Sequence, residues 1–159
     1  MEQRCTILNL YLNWLVYLGG ATFFLATGRY LFFFLWVLGT PLVQIGYVRL
    51  FPRLSKALGY GSVTDVAATT PSSAPVTVTL YTAAGCPFCP IIEERLVALK
   101  DTMGFTLTKI DVTMRPDLLT AKKIKAVPVV EVGTVLRTGN LTSQELAELI
   151  GGSAAAATS

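Results

Sequence analysis

The sequence predicts an α/β domain, with a mixed sheet and helices on both faces, behind an N-terminal α-helical transmembrane hairpin. Residues 5–48 contain a single charged side chain, Arg29, whereas residues 76–150 alternate between strand-like and helix-like patterns. Residues 61–75 are small, polar and marked by prolines, a composition typical of a linker. We therefore expect a membrane anchor over residues 1–60, followed by the linker and the folded domain.

Composition narrows the class of protein. The chain has 159 residues, of which 52% are hydrophobic and 14% are charged. Soluble domains contain about 25% charged residues, so a disordered or nucleic-acid-coating protein is excluded and no nucleic-acid partner is expected. The sequence has no histidine, which excludes Ser-His and Cys-His catalysis and most zinc sites.

The apolar N-terminal stretch is long enough for two spans of about 20 residues each. The expected helices are residues 6–27 and 30–48, joined by a turn at Gly28-Arg29, and the lipid bilayer is their expected partner. Polar side chains within them are expected to bond between the two helices: Asn9, Asn13 and Gln44. A cleaved signal peptide over residues 1–26 is the competing interpretation, which the second apolar span argues against.

Basic residues indicate the orientation of this hairpin. Residues 49–60 have the pattern of an interfacial segment with basic and apolar side chains. Positive charge flanks the two outer ends, whereas the loop holds Arg29 alone. An integral membrane protein with its soluble domain facing the cytoplasm is therefore expected. Cys5, just before the first span, is either a palmitoylation site or an interfacial cysteine without a special role.

The domain is predicted to alternate strands and helices. The expected order is strand 76–81, helix 87–103, strand 105–112, helix 117–124, strands 127–132 and 134–138, and helix 142–150. The helical crossover makes the first two strands parallel, and the hairpin around Gly133 adds antiparallel strands. Thr142 and Glu145 have the spacing of a capping box. Residues 151–159 are expected to be a disordered tail.

Two cysteines, Cys86 and Cys89, are expected to be the catalytic pair. Cys86 is predicted where the first strand turns into a helix, facing unpaired N–H groups and the positive helix end, which favours a thiolate. Cys89 lies one turn further on, so Cys86 would attack a disulfide and Cys89 would resolve the mixed disulfide. Pro87 suits the first helical position. Phe88 is either a platform for the partner or a packing residue.

A metal is the alternative use of this C-x-x-C pair. A closed zinc site needs two further ligands, and the sequence offers no histidine and only the remote Cys5. Copper(I) held by two thiolates is conceivable from the softness of sulfur. We expect no metal site and no cofactor other than the redox-active Cys86-Cys89 dithiol.

Residues 76–150 resemble the thioredoxin/glutaredoxin superfamily. The resemblance rests on four motifs: residues 79–82 before Cys86-Pro-Phe-Cys89, residues 110–112, residues 126–130, and residues 139–143 before the last helix. It implies a thioredoxin-like fold and a cis peptide bond at Val127-Pro128 beside the dithiol. It also implies that the backbone of Val127 pairs with a substrate chain, so the expected substrate-binding residues are Val127, Pro128, Pro87 and Phe88.

Two departures from the family pattern affect the expected chemistry. Thioredoxins bury an aspartate on the first strand, where this chain has Leu80. Glutaredoxins often hold glutathione with a lysine and an acidic pair, where this chain has Ala83 and residues 140–142 (Asn-Leu-Thr). Glutathione is therefore not the expected electron donor, and the sequence identifies no other thiol donor.

The predicted function is that of a membrane-anchored thiol–disulfide oxidoreductase, a reductase of protein disulfides in or near the membrane. Tethering to the bilayer raises the effective concentration of partners in the same membrane. The alternative is a non-catalytic, membrane-tethered adaptor or soft-metal chaperone that uses the same fold and dithiol.

Overall fold

The structure is a computed structural model and describes residues 4–57 and 76–157. The predicted linker over residues 61–75 lies outside the described residues. The elements follow in chain order: β1 (Cys5–Thr6), α1 (Ile7–Ala26), α2 (Tyr30–Ala57), β2 (Thr77–Thr82), α3 (Cys89–Met103), β3 (Thr106–Asp111), α4 (Pro116–Ala121), β4 (Ala126–Val127), β5 (Val129–Val132), β6 (Val135–Thr138) and α5 (Ser143–Ala157).

Helices α1 and α2 pack against each other as a hairpin. The turn between them contains Gly28, whose φ of 68° is a left-handed conformation that glycine adopts without strain. The Trp36 Nε1 donates to the Tyr17 carbonyl at 3.0 Å. The Asn13 amide donates to the Gln44 side chain at 3.5 Å, so this polar pair does join the two helices as predicted. Asn9, the third predicted member, is exposed.

Helix α2 is longer than the sequence pattern indicates. Its 28 residues continue past Val48 through Ala57, so most of the predicted interfacial segment is part of the same helix. The reason is local, because Arg49, Leu50 and Leu54 are good helix formers and no glycine separates them from the span. Residues 58–60, the end of the predicted interfacial segment, lie outside the described residues.

Both hairpin helices are long and apolar enough to cross a membrane, by length and composition. Core helices of soluble proteins also reach this length and hydropathy, but they are buried. Here α1 has no buried residue, and the most hydrophobic windows of both helices are unburied. The large side chains exposed along them include Leu15, Phe23, Leu31 and Val43. This exposure favours an apolar environment around the hairpin over a packed protein core.

The domain contains a four-stranded mixed sheet of order β3-β2-β5-β6. Strand β2 is parallel to β3, and β5 is antiparallel to both of its neighbours. The α3 crossover accounts for the parallel pair, and the tight turn at Gly133 (φ 59°) for the antiparallel one. The sequence-predicted mixed sheet is confirmed.

Helices cover both faces of this sheet. Alternate strand residues such as Val78 and Leu80 point to one face, where they pack with residues of α3 and α5. Tyr81 and Val129 point to the other face, where Leu119 of α4 packs beside them. The second face also contains the candidate site, so its cluster links the site to the sheet.

Helix α5 begins with the predicted capping box. The backbone N–H of Thr142 donates to the Glu145 carboxylate at 2.7 Å, and the backbone N–H of Glu145 donates to the Thr142 hydroxyl at 3.2 Å. The helix then continues to Ala157, where the sequence predicted a disordered tail from residue 151. Its alanine run explains the difference, because alanine has the highest helix propensity.

Arg95 is buried, although it follows Glu93 and Glu94 in a run of charged residues on α3. Its side chain is 2% exposed, and Nη1 donates to the Asn140 side chain at 2.7 Å and to the Leu141 carbonyl at 2.6 Å. Burial lowers the pKa of Arg95, and the nearby Glu145 carboxylate opposes that shift. Arg95 therefore ties α3 to the segment before α5.

The Arg95→Met variant is expected to lower the free energy of unfolding by about 1–3 kcal/mol, because it leaves two inward-facing acceptors without their charged donor. Urea unfolding of the full chain in detergent, followed by circular dichroism, measures this change. Glu94→Gln is the matched control, since Glu94 is the exposed neighbour on the same helix and its change is expected within about 0.5 kcal/mol. Equal stabilities of the two variants would contradict this role of Arg95.

Candidate redox site

Cys86 lies in the turn between β2 and α3. The turn uses Gly85, whose φ is 84°, and is closed by the bond from the Cys86 N–H to the Ala83 carbonyl at 3.2 Å. Helix α3 begins at Cys89, with Phe88 as its N-cap. The predicted helix start at Pro87 is therefore two residues early, since Pro87 and Phe88 form a turn.

The predicted catalytic and substrate-binding residues lie together. Cys86 and Cys89 are 1% and 4% exposed and belong to one apolar cluster with Val127. The Cys86 Sγ is 3.8 Å from the Val127 carbonyl oxygen. The Val127-Pro128 bond is cis, as the family resemblance implies. Strands β4 and β5 are separated at Pro128, which has no N–H to donate.

Phe88 contacts the hairpin. Its ring meets Phe51 of α2 edge-on, with centroids 5.5 Å apart and an interplanar angle of 87°. Phe88 therefore packs against α2 and also against the apolar cluster of the domain that contains Cys86. Pro87 beside it is half-buried.

The structure adds a third cysteine to the site. Strand β1 pairs antiparallel with β4, with Cys5 opposite Val127 and Thr6 opposite Ala126. This pairing places the Cys5 Sγ 2.6 Å from the Cys86 Sγ. The sequence pattern predicts for Cys5 either palmitoylation or an interfacial position without a special role, and neither includes a place beside Cys86. The only signal in the sequence was the odd number of cysteines, which leaves one thiol without an assigned role.

This thiol cluster reverses the predicted acidity of Cys86. The hydrogen bond with Cys5 lowers the pKa of Cys86, but the bond with Cys89 and burial raise it, so that the pKa increases to about 12. The hydrogen bond to Cys86 and burial raise the pKa of Cys5 even further. The start of α3 does act in the predicted direction, because a backbone hydrogen bond from Phe88, its N-cap, lowers the pKa values of both Cys5 and Cys86. Burial among neutral thiols outweighs it.

The end of the hairpin covers the turn that carries Cys86. A Cβ added to Gly85 would lie 2.8 Å from the Gln44 side-chain nitrogen and 3.7 Å from a Leu10 methyl group. Leu10 and Ile7 of α1 also pack against the cysteine cluster. A side chain at position 85 would require the end of Gln44 to move and would be strained by the left-handed φ of 84°. Cys86 and Cys89 are both buried in this arrangement.

The positions that hold glutathione in glutaredoxins offer no charges for it. Ala83 is buried, and the Asn140 side chain accepts a bond from Arg95 within the domain. Lys122, a basic residue near Pro128, is bonded to Glu131 at 2.5 Å. The Tyr81 hydroxyl donates to the same carboxylate, and burial together with this bond raises the pKa of Tyr81 to about 12.

Within residues 4–57 and 76–157, no group of three or more His, Cys, Asp or Glu side chains is arranged to hold a metal ion. The spacing of Cys5 and Cys86 agrees with this finding. Two thiolates on one zinc ion, each about 2.3 Å from the metal, would be separated by more than the 2.6 Å observed between these sulfurs.

A comparison with protein families matches residues 77–150 to the family described as a glutaredoxin-like domain (DUF836). A comparison with curated proteins gave no match. The matched segment begins at the first residue of β2 and contains Cys86, Cys89, Val127 and Pro128. Residues 77–150 are thus similar to a glutaredoxin-like domain, and this similarity indicates a role in thiol redox chemistry.

Proposed function

We propose that the chain is a membrane-anchored thiol–disulfide oxidoreductase that reduces protein disulfides in or near the membrane. One observation carries the proposal: Cys86 and Cys89 are buried together at the end of β2, beside the Val127 carbonyl, within a segment similar to glutaredoxin-like domains. The two sulfurs have the sequence spacing that a reversible disulfide requires.

The reaction follows from the positions of the two sulfurs. The Cys86 thiolate attacks one sulfur of the substrate disulfide, so that a Cys86–substrate bond forms and the other substrate sulfur leaves as a thiolate. Cys89 then loses its proton and attacks Cys86, which releases the second substrate thiolate. The substrate gains two electrons, and Cys86-Cys89 becomes a disulfide that an external thiol donor must reduce.

Substrate access requires a change in this arrangement. Cys86 is 1% exposed, and β1 occupies the backbone edge of Val127, where a substrate chain is proposed to pair. Separation of β1 from β4 would expose Cys86 and relieve the burial that raises its pKa, and it would also remove the hydrogen bond with Cys5 that lowers it. Local opening of a two-residue strand is a small rearrangement.

The membrane anchor is proposed from α1 and α2, with the domain on the cytoplasmic side. In a chain with Cys5, Cys86 and Cys89 all replaced by serine, Ser72→Cys is expected to be shielded from a membrane-impermeant thiol reagent in intact cells. Thr27→Cys, in the loop between the helices, is the matched control and is expected to react. The opposite labelling pattern would place the domain outside, and labelling at both sites would contradict a membrane-spanning hairpin.

The electron donor is proposed to be a dithiol rather than glutathione, which has a single thiol. The charge-assisted bonds missing at Ala83 and Asn140 are worth roughly 1.5–3 kcal/mol each, so glutathione binding is expected to be about two to four powers of ten weaker than in a glutaredoxin. Reduction of a disulfide-linked peptide by the full chain is measured with glutathione alone and with a small dithiol. Fast turnover with glutathione would contradict the donor assignment, and no turnover with either would contradict oxidoreductase activity.

A further inference from the structure

Strand β1 is held on the domain by backbone pairing, independently of its sulfur. Besides the two residue pairs with β4, the Ile7 N–H donates to the Lys125 carbonyl at 3.1 Å. Ile7 is also the first residue of α1, so the strand and the helix follow each other without a linker. Cys5 is therefore fixed at the point where the anchor meets the domain.

The side chain of Cys5 points into the site. It is half-buried, packs in the same cluster as Cys86, Cys89 and Val127, and brings its sulfur 2.6 Å from that of Cys86. A backbone hydrogen bond from Phe88 reaches both sulfurs. Cys86 thus interacts with two cysteines, one 81 residues away in the chain and one three residues away.

We propose that Cys5 is a third redox-active thiol of this protein, which exchanges with the Cys86–Cys89 disulfide to form a Cys5–Cys86 disulfide. The Cys5 sulfur gives up its proton and attacks the Cys86 Sγ; the Cys5–Cys86 bond forms as the Cys86–Cys89 bond breaks. Cys89 leaves as a thiolate and takes up a proton. The oxidation state of the protein is unchanged, so the step needs no added oxidant or reductant.

The consequence for activity rests on the proposed function. A Cys5–Cys86 disulfide would hold β1 on the edge of β4 and leave the nucleophile blocked. Cys5 then acts as an internal substrate, and an external disulfide must compete with it for Cys86. The reverse exchange restores the Cys86–Cys89 disulfide and allows β1 to leave the edge of β4.

The two disulfides are distinguishable by peptide mapping. Trypsin cleavage after Arg4, Arg29, Lys56 and Arg95 places Cys5 on one peptide and both Cys86 and Cys89 on another. A Cys5–Cys86 bond therefore joins two peptides, whereas a Cys86–Cys89 bond lies within one. The full chain in detergent is equilibrated in oxidised and reduced dithiothreitol, quenched with an alkylating reagent, digested and analysed by mass spectrometry.

Three variants test the pairing of Cys5 with Cys86. Cys89→Ser leaves Cys5 and Cys86, and is expected to form at least ten times more joined peptide than the matched control Cys86→Ser, which leaves Cys5 and Cys89. Unfolding the Cys89→Ser chain in concentrated guanidinium is expected to remove this excess. Cys5→Ser is expected to retain the Cys86–Cys89 disulfide.

A backbone variant tests the pairing of β1 with β4 without replacing Cys5 or Cys86. Ile7→Pro removes the N–H that bonds to Lys125, at a first helical position where proline is tolerated and after Thr6, whose ψ of 136° suits a following proline. Ile7→Ala removes the side chain but keeps the N–H. In the Cys89→Ser background, Ile7→Pro is expected to reduce the joined peptide several-fold relative to Ile7→Ala.

The outcomes separate this inference from the proposed function. Cys89→Ser chains that join peptides no better than Cys86→Ser chains would overturn the inference, while a Cys86–Cys89 disulfide in Cys5→Ser would leave the proposed function standing. Conversely, efficient Cys5–Cys86 bonding in Cys89→Ser together with no Cys86–Cys89 disulfide in Cys5→Ser would contradict both the exchange step and the proposed dithiol chemistry.

Discussion

Replacing Cys86 by serine is expected to reduce disulfide exchange to the rate of the uncatalysed reaction. A serine hydroxyl at this position cannot attack a disulfide sulfur, and neither Cys5 nor Cys89 takes its place in the turn after β2. Steady-state reduction of a disulfide-linked peptide by the full chain measures the loss. Ser143→Ala is a suitable control for a buried change of one polar atom, since Ser143 is 4% exposed at the start of α5.

Retention of substantial activity by Cys86→Ser would contradict the assignment of Cys86 as the attacking thiol. Retention together with loss in Cys89→Ser would reverse the two roles. Loss in both Cys86→Ser and Ser143→Ala would point to general destabilisation, which circular dichroism of each variant distinguishes from a chemical effect.

A trapped complex with a substrate is expected only when Cys5 and Cys89 are both replaced. In Cys89→Ser the mixed disulfide at Cys86 still meets Cys5, whose effective concentration is on the millimolar scale or above for a tethered group. Cys5 then resolves the mixed disulfide by forming its own bond to Cys86. The double variant lacks both resolving thiols, so its yield of disulfide-linked partner is expected to be at least ten times higher.

The yield is measured by non-reducing electrophoresis of the affinity-purified chain after rapid acid quenching of cells. Cys5→Ser alone is the control, because Cys89 remains to release the partner and little complex should accumulate. Equal yields from Cys89→Ser and the double variant would mean that Cys5 does not reach a mixed disulfide at Cys86. A high yield from Cys5→Ser alone would contradict the resolving role of Cys89.

Local patterns were sufficient to predict most of the domain. The alternation around β2 and the Thr142–Glu145 capping box each depend on residues close together in the chain, and both elements are found where predicted. The C-x-x-C pair is visible as a local pattern after a strand, whereas the place of Pro128 beside it was expected from the resemblance to the thioredoxin/glutaredoxin superfamily. The N-terminal segment was predicted as two apolar helices, and the structure contains α1 and α2 there.

The errors in prediction concern contacts between distant segments. Strand β1 has two residues and pairs with β4, which lies more than a hundred residues later in the chain. A strand this short has no periodic pattern from which it could be predicted. The pKa of Cys86 depends on burial and on two neighbouring thiols, one of them supplied by that pairing. Arg95 follows Glu93 and Glu94 in a polar run, and its inward direction depends on the carbonyl of Leu141 near α5.

The position of Cys5 also affects the conformational entropy of the unfolded chain. A Cys86–Cys89 bond joins cysteines that are three positions apart in the chain. A Cys5–Cys86 bond joins cysteines that are 81 positions apart, and its loop includes both apolar helices. On the loop-closure relation, a covalent loop of that size restricts the unfolded chain by about 4.5 kcal/mol, far more than a loop of a few residues. Exchange of one disulfide for the other would thus change how the molecule unfolds. The hairpin and the domain would unfold as a single unit with the Cys5–Cys86 bond and separately with the Cys86–Cys89 bond.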